Sequence, residues 1–339
     1  MSRILITQSA PDRARYFAGR AGELLAGCGE VLWNDLARAL TSEEVKERLP
    51  GCEAITTGWG GCALPPEVLE PAGELKIIGV LGGGVKAYSP EYCFAHGITI
   101  CHTPKAIGRY VAEFTVGLIL ALCYDLYRMD KLVRQQGKLE PPEGGYHHPG
   151  GWAGKGLRGT KVGVIGSGAV AGHVVSFLKP FECEMLMYDP YLSEERAREL
   201  GVRKAELDEL LREVEILTVH AGWTPETEGM MTKERLALLR EGAIVVNSAR
   251  MPIFDEEALL AEVKNGRIKA GLNLIPCNKI WLDPALADLD NLLLSPGCAT
   301  VAHQTLTDMG LMLAEDFARF FSGEKPLHVV TPAMLARMT

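Results

Sequence analysis

The segment VGVIGSGAVAGHVV, residues 162–175, constrains this chain more than any other. An apolar, β-branched run stops at Gly166, passes Ser167-Gly168 and continues into an Ala- and Val-rich stretch. Gly166-x-Gly168-x-x-Ala171 between a strand and a helix is the setting that a dinucleotide fingerprint requires. The first glycine permits the tight turn, and the second lets backbone approach a pyrophosphate at the helix N-terminus. Ala171 allows close helix–strand packing. Glycines also sit in plain strand–helix turns, so the pattern needs a second mark. Asp189 supplies it by ending the next apolar run, MLMYD, 23 positions after Gly166. A carboxylate at that spacing suits an adenosine ribose. Pro190-Tyr191 follow, with no adjacent Arg to meet a 2′-phosphate, so the sequence predicts NAD as cofactor rather than NADP.

The rest of the chain alternates in the same way, twice. RILIT, EVLW, EAITT, KIIGVL and ITICH are short apolar runs within residues 3–102, separated by helix-like stretches. KVGVIG, MLMYD, EILTVH, AIVVNS, AGLNLI and NLLLS form a second set. Such alternation predicts an α/β chain with two doubly wound parallel sheets. Thr41-Ser42-Glu43-Glu44 reads as a capping box. One long helical pattern covers 106–136, and the Pro/Gly/His-rich loop KLEPPEGGYHHPGGWAGKG follows it. The pattern TLTDMGLMLAEDFARFFSGEKP is helical and ends at Ser322-Gly323. A length of 339 residues suits two domains.

Composition narrows the partners. A formal net charge of −8 without a basic run argues against a nucleic-acid surface. Nine cysteines without a CxxC pair fit reduced thiols in a cytoplasm better than a disulfide framework or a zinc site. His147-His148 lack a third placed ligand, so no metal is expected. The N-terminus lacks a secretory apolar region, and VGLILALC (116–123) is too short to span a bilayer. These features predict a soluble cytoplasmic protein that contacts neither nucleic acid nor membrane.

Several blocks together resemble the D-isomer-specific 2-hydroxyacid dehydrogenases. They are LKIIGVLGGGVKAYS (75–89), HTPKAIGRYVAEFTVGLILAL (102–122), the glycine motif with MYDPY, HAGWTPETEGMM (220–231), EGAIVVNSAR (241–250) and DEEALLAEVKNGRIKAGLNL (255–274). The resemblance implies a flavodoxin-like substrate domain from residues 1–102 and 301–339. A Rossmann cofactor domain, 103–300, is inserted in it, with the active site in the cleft and a homodimer built through the long helix and its loop. It implies cofactor contacts from Gly166, Gly168, Ala169, Val170, Asp189, Pro190, His220, Ala221, Thr227, Ser248, Ala249 and Asn273. Backbone N–H groups of Gly83, Gly84 and Val85 would bind a substrate carboxylate, and Arg250 would hold the carboxylate and carbonyl. A guanidinium suits this because its planar fork stays charged at any working pH. Met251 follows Arg250 where the family usually has Gly.

The departures are as informative. The family's proton donor is a His directly after the Pro of the last strand, paired with a Glu. Counting through SPGC puts Gly297 at the His, and counting through GLNLIPCNKI puts Asn278 at the Glu and Asn273 at a usual Asp. Coordinated loss is reasonable, because an orphan carboxylate in a closed site is costly. Lys86 replaces the usual acid after GGGV, and Ile107 replaces a common Asn with Arg109 two residues on. Lys86 and Arg109 either make the substrate site more cationic or are solvated loop cations. His303, on the final helix, is the candidate substitute acid/base, with Lys86 a further catalytic candidate. His220 and His102 end strands and are weaker candidates; His173 and His96 read as surface or packing residues. The expected activity is NAD(H)-dependent oxidoreduction of the CH–OH/C=O group of a small, carboxylate-bearing substrate. Two other readings stay open: transient NAD redox within a lyase or epimerase, and a non-catalytic NAD(H)-sensing binding protein.

Overall fold

The computed structural model describes residues 2–136, 154–273, 279–300 and 302–335, with all their side chains except those of Gln136, Lys279 and His303. His147, His148 and Asn278 lie outside the described residues. Two compact units divide the chain, Met1–Ile107 with Val301–Thr339, and Gly108–Thr300. The division falls after Ile107 rather than after residue 102, because Ala106 and Ile107 pack with the first unit's core.

The first unit is built on strands β1 (Arg3–Ile6), β2 (Glu30–Leu32), β3 (Ala54–Gly58), β4 (Ile77–Leu81) and β5 (Thr99–His102). They run in the order β2-β1-β3-β4-β5, all parallel, so the winding reverses between β1 and β3. Strands covered on both faces should be apolar at successive positions, and β4, IIGVL, is buried throughout. Period-2 alternation splits its side chains. Ile78 and Val80 join Leu5, Ile55 and Ile100 on one side. Ile77 and Leu81 join Met309, Leu313 and Phe317 of the helix His303–Phe321 on the other. Gly79 lets that helix lie close, since a Cβ there would stand 2.6 Å from Leu313 Cδ1.

The second unit contains β6 (Lys161–Ile165), β7 (Glu184–Tyr188), β8 (Arg203–Lys204), β9 (Ile216–Val219), β10 (Ala243–Asn247), β11 (Ile268–Asn273) and β12 (Leu292–Ser295). Their order is β12-β11-β10-β9-β6-β7-β8, again all parallel, with the reversal between β6 and β9. In such sheets ligands bind beyond the carboxyl ends of the strands at the reversal.

Local signals read from sequence behave as expected at several ends. Thr41 Oγ1 accepts from Glu44 N while Glu44 Oε2 accepts from Thr41 N, a complete capping box. The last long helix stops at Ser322, with Gly323 at φ +82°. The long pattern 106–136 differs: it forms two helices, Pro104–Cys123 and Leu126–Gln136, broken at Asp125 with φ +49°. Lys269 on β11 holds the Asp125 carboxylate and fixes the break. Pro104–Cys123 is also longer than the apolar run 116–123 suggests, and by length and composition alone it could cross a membrane. Ala112, Ile119, Leu122 and Cys123 are instead buried against Val162, Val164 and Ile244, which makes it a core helix of its unit.

Candidate functional site

The carboxyl ends of β7, β6, β9, β10 and β11 lie side by side along one edge of the second sheet. Most of the singled-out residues follow them: Asp189 after β7, Gly166 after β6, His220 and Ala221 after β9, Ser248 to Arg250 after β10. Asn273 closes β11. Parallel strands put these positions on one edge, so sequence-distant residues meet there.

Gly166 has φ +95°, and a Cβ on it would stand 2.8 Å from Ala221 N and 2.9 Å from the His220 carbonyl carbon. Only glycine lets the β6 turn cross so close to the end of β9. Gly168 precedes the ten-residue helix Ala169–Leu178, which has no side-chain cap. Its first N–H groups are therefore open to an anion. Apart from its chain neighbours and its own helix, nothing among the described residues lies within 4 Å of where a Gly168 Cβ would be, so backbone approach is unobstructed. Ala171 is fully buried against the sheet.

Asp189 is held by three donors. Its Oδ2 accepts from Ser167 N at 2.8 Å and Ser167 Oγ at 2.7 Å, and its Oδ1 accepts from Tyr191 N at 2.8 Å. Pro190 lies exposed beside it. His220 shares a 2.8 Å hydrogen bond between Nε2 and Thr218 Oγ1, while its buried Nδ1 has no partner among the described residues. Burial pushes the imidazole pKa down to about 3, so the ring is neutral. Thr227 Oγ1 accepts from Thr224 N and donates to Gly222 O, which ties the loop after β9.

The β10 loop is stitched from within. Asn247, nearly buried, accepts from Ala249 N at 2.9 Å through Oδ1. Its Nδ2 donates toward Arg250 O and Met251 Sδ, each at 3.3 Å. Met251 is buried and meets Asn247, which is how the loop accommodates a side chain after Arg250. Thr115 and Ser248, both buried, share a 2.8 Å hydroxyl contact. Arg250 is exposed, with Nη1 donating to Ala249 O, and desolvation lowers its pKa from the ordinary value. A guanidinium remains charged regardless.

Asn273 is turned toward the segment after β12. Its Oδ1 accepts from Ser295 Oγ at 3.1 Å and from Ala299 N at 3.4 Å. Gly297 sits within that segment at φ +71°, with its N–H on Ser295 O. Residue 297 is thus a left-handed turn glycine without an ionisable group.

In the first unit, Gly82 to Val85 follow β4. Gly82 N donates to Thr103 Oγ1 at 3.0 Å and Gly82 O accepts from Thr103 N at 2.9 Å. His102 Nδ1 donates to Gly83 O at 2.9 Å. Among the described residues no acceptor meets the N–H groups of Gly83, Gly84 or Val85. Lys86 is exposed and opens a short 3-10 turn. Arg109 lies against the body of the helix Ala169–Leu178: Nε donates to Glu113 Oε1 at 3.0 Å and Cζ stands 5.4 Å from the Phe177 ring. His303 opens the helix His303–Phe321, and its side chain lies outside the described residues.

Sequence reasoning missed Ser167, Asn247 and Thr115. Ser167 stands between the two fingerprint glycines, and a hydroxyl there, facing the end of the next strand, was a usable signal. Thr115 and Asn247 sit in apolar runs with nothing local to mark their partners.

A glycine turn at the sheet reversal, an uncapped helix behind it, a held carboxylate on the next strand and a buried imidazole nitrogen unpartnered among the described residues fit an adenine dinucleotide. Fold and turn define a dinucleotide-binding α/β protein. Residues 116–299 match the model of the D-isomer specific 2-hydroxyacid dehydrogenase, NAD binding domain. The chain is 32% identical over 290 residues to a D-3-phosphoglycerate dehydrogenase of Archaeoglobus fulgidus, covering 85% of this chain and 53% of that one. It therefore spans little more than half the length of that relative. It is 29% identical over 329 residues to a glyoxylate reductase of Korarchaeum cryptofilum, covering 97% and 95%. The TT0316 protein of Thermus thermophilus superposes with a TM-score of 0.76 at 25% identity, covering 97% of this chain and 100% of that one. The chain belongs to the D-isomer-specific 2-hydroxyacid dehydrogenase family and carries its NAD binding domain.

Proposed function

We propose that the protein is an NAD(H)-dependent oxidoreductase that interconverts a small 2-oxo acid and its 2-hydroxy acid, with acid/base groups that depart from its family's. The observation that carries this reading is the turn Gly166–Gly168 with Asp189 held across from it by Ser167. NAD(H), when bound, supplies or accepts the hydride. The first-turn N–H groups of Ala169 and Val170 would hold its pyrophosphate, and Asp189 would hold its ribose. Arg250 grips the substrate's carboxylate and carbonyl oxygen in a two-pronged contact and polarises the carbonyl. The N–H groups of Gly83, Gly84 and Val85, without acceptors among the described residues, bind carboxylate charge.

Reduction of the substrate carbonyl would require a proton to be delivered to its oxygen. That proton does not come from residue 297, which has no side chain. It does not come from His220 either, whose pKa near 3 leaves it without a spare proton at neutral pH. His303 is the candidate substitute donor and Lys86 a further one, neither in the place of the missing His–Glu pair, so slow proton delivery is expected. The apolar side chains Tyr124, Leu126 and Tyr127, exposed at the break between two helices, support a homodimer through this unit. Nine scattered cysteines, eight of them free among the described residues, support a reducing, cytoplasmic setting.

The test is direct. NADH is bound to the full chain, and its absorbance is followed as glyoxylate, pyruvate or hydroxypyruvate is added in excess. Slow but complete oxidation of the bound NADH is the expected result. NADH that binds and is never oxidised by these acids or by larger 2-oxo acids would overturn the oxidoreductase reading in favour of a cofactor sensor.

A further inference from the structure

His102 is a buried imidazole to which the mechanism above gives no task. It closes β5 and is 5% exposed, and burial lowers its pKa. Its backbone N–H donates to His328 O, whose own ring meets the buried Asp316 carboxylate at 2.9 Å. Position and orientation of His102 are therefore set from behind. Its Nδ1 stands 2.9 Å from Gly83 O. A carbonyl only accepts, so Nδ1 carries the proton.

The consequence lies in what remains of the loop. Thr103 occupies both the N–H and the C=O of Gly82, and His102 occupies the C=O of Gly83. These contacts pin peptide planes at the loop's start and leave three successive N–H groups, Gly83 to Val85, without acceptors among the described residues. Successive backbone N–H groups of this kind make an anion-binding concavity. With Gly83 φ and ψ free to rotate, the same groups would point apart, because glycine has no steric preference of its own.

We infer that His102 is a positioning residue for substrate: by holding the Gly83 carbonyl it aims the N–H groups of residues 83–85 at the substrate carboxylate. The inference rests on the carboxylate reading of this loop. It gives the imidazole a role that does not involve proton transfer, and it makes the ring's Nδ1–H, rather than its charge, the working part.

Side-chain geometry supplies the test. An Asn amide nitrogen sits as many bonds from Cβ as Nδ1 does, whereas a Gln amide nitrogen sits one bond further out. NADH-loaded full-length protein is titrated calorimetrically with oxamate, an unreactive carboxylate with an adjacent carbonyl. His102→Asn should bind oxamate within about twofold of the unsubstituted protein. His102→Gln and His102→Ala should bind it about 5- to 20-fold more weakly, the usual loss for one buried hydrogen bond acting on a charged ligand. NADH affinity should be the same in all of them. If His102→Ala fails to fold, the Asn–Gln pair alone carries the comparison. Oxamate affinity unchanged in His102→Gln, or as weak in Asn as in Gln, overturns the inference while leaving the carboxylate reading intact. Unsubstituted protein that binds neither oxamate nor glyoxylate overturns that reading and the inference together.

Discussion

Ser167 clasps Asp189 twice, N–H and Oγ–H both donating to Oδ2 at 2.8 and 2.7 Å. The carboxylate is thereby fixed beside the fingerprint turn rather than free to swing away. A 2′-phosphate brought to this place meets fixed negative charge with no Arg adjacent in sequence. NAD(H) should therefore bind more tightly than NADP(H) by about 1–3 kcal/mol, since that repulsion is partly desolvated. Calorimetry on both cofactors checks it, and equal affinities would sink it. Ser167→Ala should narrow the gap and Asp189→Ala should narrow it further.

The neutral burial of His220 predicts a pH effect on stability. Its folded pKa, about 3, lies below the ordinary imidazole value of 6.5, so below that value the unfolded chain binds a proton that the folded chain refuses. Stability from this group is complete above about pH 6.5 and declines as pH falls towards 3, by about 1.4 kcal/mol per unit. Between about pH 7 and about pH 5 the cofactor-free protein should lose up to about 2 kcal/mol more than His220→Gln does. Denaturant unfolding at the two pH values measures it. Parallel losses in both proteins would show that the imidazole accepts a proton in the folded state.

Much of this architecture is legible in sequence because it is written locally. Apolar runs such as KIIGVL and AIVVNS mark buried parallel strands, and glycine at 166 marks a turn no other residue could make. The break at Asp125 is not legible, since the apolar pattern runs on past it. It depends on Lys269, 144 residues away, holding the carboxylate. The His102–Gly83 contact is hidden for the same reason: it joins the ends of two neighbouring strands that are separate in sequence. Gly297 lies between these cases. A glycine after Ser295-Pro296 marks a turn in the sequence, but its left-handed backbone cannot be read there.

The exposed apolar residues at the helix break predict assembly. Tyr124, Leu126 and Tyr127 are 48%, 56% and 42% exposed, close together in one short segment. A homodimer mass is expected by light scattering at micromolar concentration. Leu126→Glu combined with Tyr127→Glu should weaken it by placing charge in an apolar interface. A monomer before substitution would remove this reading, and a dimer indifferent to both changes would place the interface elsewhere.

A positioned general acid is typically worth about 10²–10⁴ in rate, and residue 297 has none to offer. The unsubstituted protein should therefore reduce glyoxylate, pyruvate and hydroxypyruvate very slowly while binding NADH normally. Gly297→His with Asn278→Glu should raise the rate, because the imidazole gains a carboxylate that orients and charges it. Gly297→His alone should gain less. The gain has a structural penalty, since Gly297 sits at φ +71° and an L side chain there costs about 1–2 kcal/mol. A lower melting temperature in both variants is thus expected, independent of activity. Replacing Arg250 with Ala in the double variant should abolish the gain, because the group that grips the carboxylate is gone. Brisk turnover by the unsubstituted protein would refute the premise and point to His303 as the working acid. His303→Ala should then cost at least about tenfold.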